Sequence, residues 1–166
     1  VGVMPRLGGL AVVGGAAAGL LATNALPAGP SPGVLNPLLA GGLIVFFTGL
    51  VDDVRSLPAW LKLGLEFLAA HIVVSGDVVI HTITIAGGTI HLGSLSYAVT
   101  VLWIVGLTNA FNLIDGLDGL ATGVALISGS ACAWLLMMRG NLEEAALLFA
   151  LAGAALGFLP WNVPPA

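Results

Sequence analysis

The sequence predicts an all-α polytopic membrane protein of about six transmembrane helices carrying one small extracytoplasmic β-hairpin. Three observations predict it. Of 166 residues, 58% are hydrophobic and only 7% are charged, with a mean hydropathy of +1.11. A soluble domain carries about 25% charged residues, so a surface this poor in charge has to be covered by lipid. The apolar residues also fall into runs close to the roughly 20 residues that cross a bilayer. Finally, one stretch has the β-branched texture of a short hairpin, set between two such runs.

The runs follow in order. Segment one covers Leu7 to Leu26. The stretch from Pro27 to Gly33, with Pro37 beyond it, is read as a break, because proline cannot continue a helix interior. Segment two covers Leu38 to Val51, with Val34 as an earlier start. Segment three runs from Leu57 to Ser75, with Pro58 suited to its first turn. Segments four, five and six cover Leu95 to Thr108, Leu117 to Met138 and Leu142 to Leu159. Between segments three and four, Val79 to Ala86 and Thr89 to Leu92 flank Gly87-Gly88, which suggests a tight hairpin. A turn on those glycines pairs Thr84 with His91 and puts His81 on the opposite face, so the two histidines would not chelate one metal. Open strand edges are excluded from hydrocarbon, which places the hairpin in water.

Counting crossings sorts the polar residues. Pro5 to Gly9, Asp52-Asp53, the run Asn109 to Asp118, and Pro160-Trp161-Asn162 all land on one side. Arg6, Arg55 and Lys62 lie there too, against Arg139 opposite, so that side is read as cytoplasmic. The whole chain is expected to form one integral membrane domain. No charged n-region or small-residue cleavage pattern precedes the first segment, so no signal peptide is expected. The single cysteine, Cys132, is read as a small buried hydrophobe, with no disulfide framework or zinc spacing. The net charge of -4 and the lack of a basic patch exclude nucleic acid as a partner.

Four of the eight acidic residues sit in two places at the ends of apolar runs. A carboxylate at a hydrocarbon boundary is costly without a partner, which makes it a functional candidate. Asp52-Asp53 ends segment two. Adjacent carboxylates repel, and a cation relieves that repulsion; the plainer reading is a solvated helix end with Arg55 as counter-ion. Asn112, Asp115 and Asp118 recur every three residues, so on a helical turn they share one face. Gly116 and Gly119 clear space for a ligand to approach the backbone. Carboxylate and amide oxygens are also what magnesium prefers when it holds a phosphorylated substrate. Arg6 before Gly8-Gly9 suits an anionic group, and positive-inside anchoring explains it equally. Lys62 and Glu66, four apart, read either as a self-neutralising pair or as a phosphate contact at Lys62. His71 reads as a packed or interfacial residue, and Glu143-Glu144 as a solvated helix start.

Taken together, Pro5-Arg6-Leu7-Gly8-Gly9, Asp52-Asp53, the run from Asn109 to Leu120 and Gly157-Phe158-Leu159-Pro160-Trp161-Asn162 resemble the polyprenyl-phosphate N-acetylhexosamine-1-phosphate transferases. The resemblance covers residues 5 to 162. It implies a multi-pass enzyme of the bacterial inner (plasma) membrane with its active face cytoplasmic, dependent on Mg2+ with Mn2+ as a substitute. Such an enzyme moves a sugar-1-phosphate from a UDP-N-acetylhexosamine to undecaprenyl or another polyprenyl phosphate and releases UMP; a dimer is compatible with it. Pro5-Arg6 and Ile114 resemble the branch that starts lipopolysaccharide antigens and wall teichoic acid. The peptidoglycan-precursor branch, the phospho-MurNAc-pentapeptide transferases, is the alternative within the family.

The resemblance also implies roles. Asp52 would deprotonate or orient the lipid phosphate, with Asp53 positioning substrate or metal beside it. Asn112 and Asp115 would lie at the magnesium-pyrophosphate site, Asp115 being catalytic, and Asp118 would read the nucleobase. Lys62 and Arg6 would contact substrate. Glu66 stands where the family pattern suggests Gln. Later family loops, one of the Phe-Met-Gly-Asp-Ser-Gly type and one of the His-x-His type, find no match, and the family has ten or eleven spans. The chain is therefore expected to be a partial family domain, missing a first helix and C-terminal catalytic loops. Readings from other classes are a transporter, which would place carboxylates near helix midpoints, and a non-catalytic membrane fragment that binds nucleotide or lipid.

Overall fold

Six α-helices, two short 3-10 helices and one hairpin are the regular elements of a computed structural model that describes residues 8–24 and 32–162. The helices are α1 (Gly8–Asn24), α2 (Pro32–Val54), α3 (Ala59–Ser75), α4 (Ser96–Ile114), α5 (Leu120–Met138) and α6 (Leu142–Phe158). Strands β1 (Thr82–Ile85) and β2 (Gly88–His91) separate α3 from α4. By length and composition, the stretches Leu35–Val54, Gly93–Ile114, Leu120–Met138 and Leu142–Trp161 can each cross a membrane. The apolar helix Gly8–Ala22 is shorter, and α3 has 17 residues with Lys62 and Glu66 inside it. The result is the polytopic all-α membrane architecture expected.

The described residues belong to two compact units. The first holds α1, α5, α6 and the chain from Phe111 onward, and the second runs from Pro32 to Ala110. Neither unit has a core of large side chains. The buried hydrophobics are Ala69, Ala70, Val73, Val74, Val101 and Val105 in the second unit, and chiefly alanines in the first (Ala121, Ala133, Ala145, Ala152, Ala155). Large apolar residues such as Leu102, Trp103, Ile127 and Leu135 face outward. This inverts the soluble pattern and is what lipid requires, since helices in hydrocarbon gain most by close backbone packing through small residues.

In the first unit that packing is a glycine-alanine seam between α1 and α6. A Cβ built on Gly19 would sit 2.9 Å from the Ala150 Cβ, and one on Gly15 would sit 3.2 Å from the Ala154 Cβ. Gly15 and Gly19 thus form a small-xxx-small face, matched by Ala150 and Ala154. In the second unit α2 and α3 pair the same way. A Cβ on Gly41 would sit 2.6 Å from the Val73 Cγ2 and 3.0 Å from the Ala69 carbonyl oxygen. Ala70 and Val74 of α3 then pack on Val101 and Val105 of α4.

Three expectations are corrected. Proline does not stop α2, which begins at Pro32 and carries Pro37 inside it. Pro37 is the sixth residue of α2, so its missing N–H forfeits the one bond that would have run to the Gly33 carbonyl near the helix start. Its ring lies on Gly76, where a Cβ would come within 2.4 Å. Second, the hairpin turns on Ala86-Gly87, so Thr84 pairs with Thr89 and Thr82 with His91. Both turn residues have positive φ, 51° and 83°, as a type I′ turn demands. His81 still lies opposite His91, because a shift of two residues preserves the faces. Third, Cys132 is exposed on α5 rather than buried.

Candidate functional site

The end of α2 and the start of α3, in the second unit, build one group of candidate residues. Both oxygens of Asp52 are engaged. Oδ1 accepts the Leu57 backbone N–H at 2.7 Å, which ties down the loop between the helices. Oδ2 accepts from the Lys62 ammonium as hydrogen bond and ion pair. The counter-ion of Asp52 is therefore Lys62, not the nearby Arg55. Both side chains keep more than a quarter of their surface accessible, so an incoming anion can reach the pair. Asp53 is exposed beside it.

Glu66, one turn further along α3, does not neutralise Lys62. It accepts a hydrogen bond from the Asn109 side-chain amide on α4, and the same nitrogen donates to the Val105 carbonyl at 2.9 Å. Adjacent turns of α3 therefore hold two different helices by their polar side chains. Sequence reasoning left Asn109 out of the site; the signal was its position three residues before Asn112 on one helix.

The first unit carries a second group of candidate residues. Asn112 is exposed on the last turn of α4. The Asp115 N–H reaches the Phe111 carbonyl at 3.1 Å, extending the helical pattern one residue past Ile114. Asn112 and Asp115 therefore share a face as expected. Asp118 does not continue it: the chain passes through two tight turns, with Leu117 N–H to Ile114 and Leu120 N–H to Leu117. Gly119 then enters α5 at φ 74°, which glycine adopts without strain. The three-residue spacing is kept while the helix is broken at the glycines, so Asp118 stands on a separate turn. One turn into α5, Thr122 accepts from the Asn162 amide at 2.8 Å. That bond brings the Pro160-Trp161-Asn162 motif to the turn carrying Asp118. Arg6 lies outside the described residues.

Among the described residues, no group of three or more His, Cys, Asp or Glu side chains gathers to hold a metal. The exposed Asn112 and Asp115 nonetheless fit magnesium. Their donors are hard oxygens, and magnesium bound with phosphate keeps several waters and takes only one or two protein carboxylates. Elsewhere, His71 is exposed and hydrogen bonds to the Tyr97 hydroxyl across α3 and α4, so it is not a packed core residue. Glu143 and Glu144 occupy the first turn of α6 as expected.

Comparison with known proteins agrees with the motif pattern. No solved structure matches the chain. A Bacillus subtilis (strain 168) protein named "Probable undecaprenyl-phosphate N-acetylglucosaminyl 1-phosphate transferase" is 36% identical over 166 residues, covering 99% of this chain and 45% of that protein. A decaprenyl-phosphate N-acetylglucosaminephosphotransferase of Mycolicibacterium smegmatis (strain ATCC 700084 / mc(2)155) is 39% identical, covering 95% of this chain and 43% of its own length. A phospho-N-acetylmuramoyl-pentapeptide-transferase of Streptococcus thermophilus (strain CNRZ 1066) is 33% identical, covering 83% and 43%. The chain thus spans under half the length of these relatives. The model of glycosyl transferase family 4 matches residues 35–166, a stretch that contains both groups of candidate residues. This multi-pass membrane chain belongs to glycosyl transferase family 4.

Proposed function

We propose that the protein transfers N-acetylhexosamine-1-phosphate, in first place N-acetylglucosamine-1-phosphate, from a UDP-sugar to a polyprenyl phosphate. The reaction takes place at the cytoplasmic face of the plasma membrane. The observation that carries this reading is the accessible Asp52–Lys62 pair beside Asp53 at the end of an apolar helix, in a chain whose relatives are named for polyprenyl-phosphate acceptors. The N-acetylglucosamine names among those relatives favour that donor over the muramoyl-pentapeptide one.

The residues support the following chemistry. An acceptor phosphate entering at Lys62 exchanges one anionic partner of the ammonium for another, which releases Asp52 Oδ2 while Leu57 still holds Oδ1. The freed oxygen is then placed to take a proton from the phosphate or to orient it. The phosphate oxygen forms a bond to the sugar-bearing phosphorus of the UDP-sugar. The bond from that phosphorus to the bridging oxygen breaks, and UMP leaves with the electron pair. Alignment of the two substrates by fixed groups is the main source of rate in such a displacement. Asp118, on its own turn, is suited to hydrogen bond a nucleobase. Asn112 and Asp115 are the residues that would hold magnesium, whose charge offsets that of the pyrophosphate.

The test uses membranes carrying the protein from its complete reading frame. UMP release is followed with UDP-N-acetylglucosamine and undecaprenyl phosphate, with and without Mg2+, beside UDP-MurNAc-pentapeptide as competing donor. Metal-dependent UMP release with a new lipid-linked sugar is expected. Substituting Asp52, Asp115 or Asp118 by Asn or Ala is expected to abolish it, and full turnover in all three variants refutes the assignment.

A further inference from the structure

Beyond the residues placed in the reaction above, and resting on that reading, we infer that Glu66 is a positioning residue. It fixes the amide of Asn109 and, through it, the C-terminal part of α4. The Asn109 nitrogen has two hydrogens, and both are used: one on the Glu66 carboxyl, the other on the Val105 carbonyl one turn back. A carboxylate only accepts, so the nitrogen, not the oxygen, has to face it. The Asn109 oxygen is thereby left as an acceptor turned away from Glu66. A glutamine at position 66 can accept through its oxygen but can also donate, and would allow the Asn109 amide to flip.

Lys62 and Glu66 occupy successive turns of one helix face. Lys62 holds Asp52 of α2, and Glu66 holds Asn109 of α4. The α3 helix thus sets the spacing between the end of α2 and the last turns of α4 with two polar ties about one turn apart. A tie of this kind matters more in a chain packed through alanine and glycine than in one with large interlocking side chains. Glu66 touches no reacting atom in this account; it acts through Asn109.

The experiment compares Glu66→Ala, Glu66→Gln, Asn109→Ala and the double alanine variant in the full-length protein. Steady-state kinetics are read together with amide hydrogen exchange over residues 105–112. Glu66→Ala is expected to lower kcat about tenfold, the worth of one such hydrogen bond, with KM for the UDP-sugar unchanged. Asn109→Ala should behave alike, and the double variant should be no worse than the poorer single one. Glu66→Gln should recover most of the rate, since its oxygen can still accept. Exchange at the end of α4 should be faster in Glu66→Ala and near normal in Glu66→Gln. Independent, multiplying losses in the double variant, or unchanged exchange in Glu66→Ala, overturn the inference. If the unsubstituted protein transfers no sugar phosphate, the proposed function fails, and the exchange measurement still decides the tie.

Discussion

Two neighbouring glycines in α2 allow the packing between α2 and α3 to be weighed. Gly41 and Gly42 sit side by side in one helix, so replacing either by alanine gains the same helix propensity, about 1 kcal/mol. Their surroundings differ. At Gly41 the new methyl meets Val73 Cγ2 at 2.6 Å and the Ala69 carbonyl oxygen at 3.0 Å, whereas at Gly42 nothing lies within 4 Å. The valine methyl can turn aside, but the backbone oxygen of a packed helix cannot. Overpacking of that kind costs about 1–3 kcal/mol. Subtracting one variant from the other cancels the propensity gain and leaves the packing cost alone. Gly42→Ala should therefore be neutral or stabilising, and Gly41→Ala less stable than Gly42→Ala by about 1–3 kcal/mol. The assay is thermal unfolding of the full-length protein in one detergent, where the two midpoints should differ by at least about 2 °C. Equal midpoints would refute the close approach of α2 to α3.

Two further outcomes follow from the backbone. Gly119→Ala forces a side chain into the left-handed conformation at φ 74° and should cost about 1 kcal/mol or more. Gly116→Ala, whose Cβ meets only the Leu113 carbonyl oxygen at 3.9 Å, should be near neutral; equal loss in both by thermal unfolding would contradict the turn described. Ala86→Asn places at the first turn position of the hairpin a residue that tolerates φ 51° and should raise the midpoint slightly, by roughly the few tenths to 1 kcal/mol of relieved strain. A lowered midpoint would argue for a different turn.

Much of this was legible in the residues because lipid leaves so little choice. Six apolar runs became six α-helices, and the polar exceptions at Asp52, Lys62, Asn112 and Asp115 were conspicuous against them. Pairing was less legible. Spacing offered Lys62 to Glu66 by the four-residue rule, and to Arg55 the role of counter-ion for Asp52, yet Lys62 went to Asp52 and Glu66 to Asn109. Local spacing says which residues can meet on one helix and nothing about a better partner on the next. Pro37 misled because the rule against proline counts the bond lost within the helix and not the contact its ring makes with Gly76 of the neighbouring segment. The hairpin register shifted because Gly87 serves as the second turn residue after Ala86 rather than the first before Gly88, which leaves Gly88 paired with Ile85. Asp118 left the shared face because the glycines that clear space for a ligand also release the helix.

The seams made of glycine and alanine are smooth. Large side chains interlock like teeth and stop one helix from sliding along its neighbour, but a methyl-lined rail resists axial slippage poorly. What fixes the alignment along the helix axes is then a set of polar pins: Asp52 to Lys62, Glu66 to Asn109, and Asn162 to Thr122. Each pin has one member in the motifs that carry the candidate chemistry: Asp52, Asn109 and Asn162. Registration and reactivity therefore meet in one side chain, so a substitution at Asp52 moves a latch as well as a reagent.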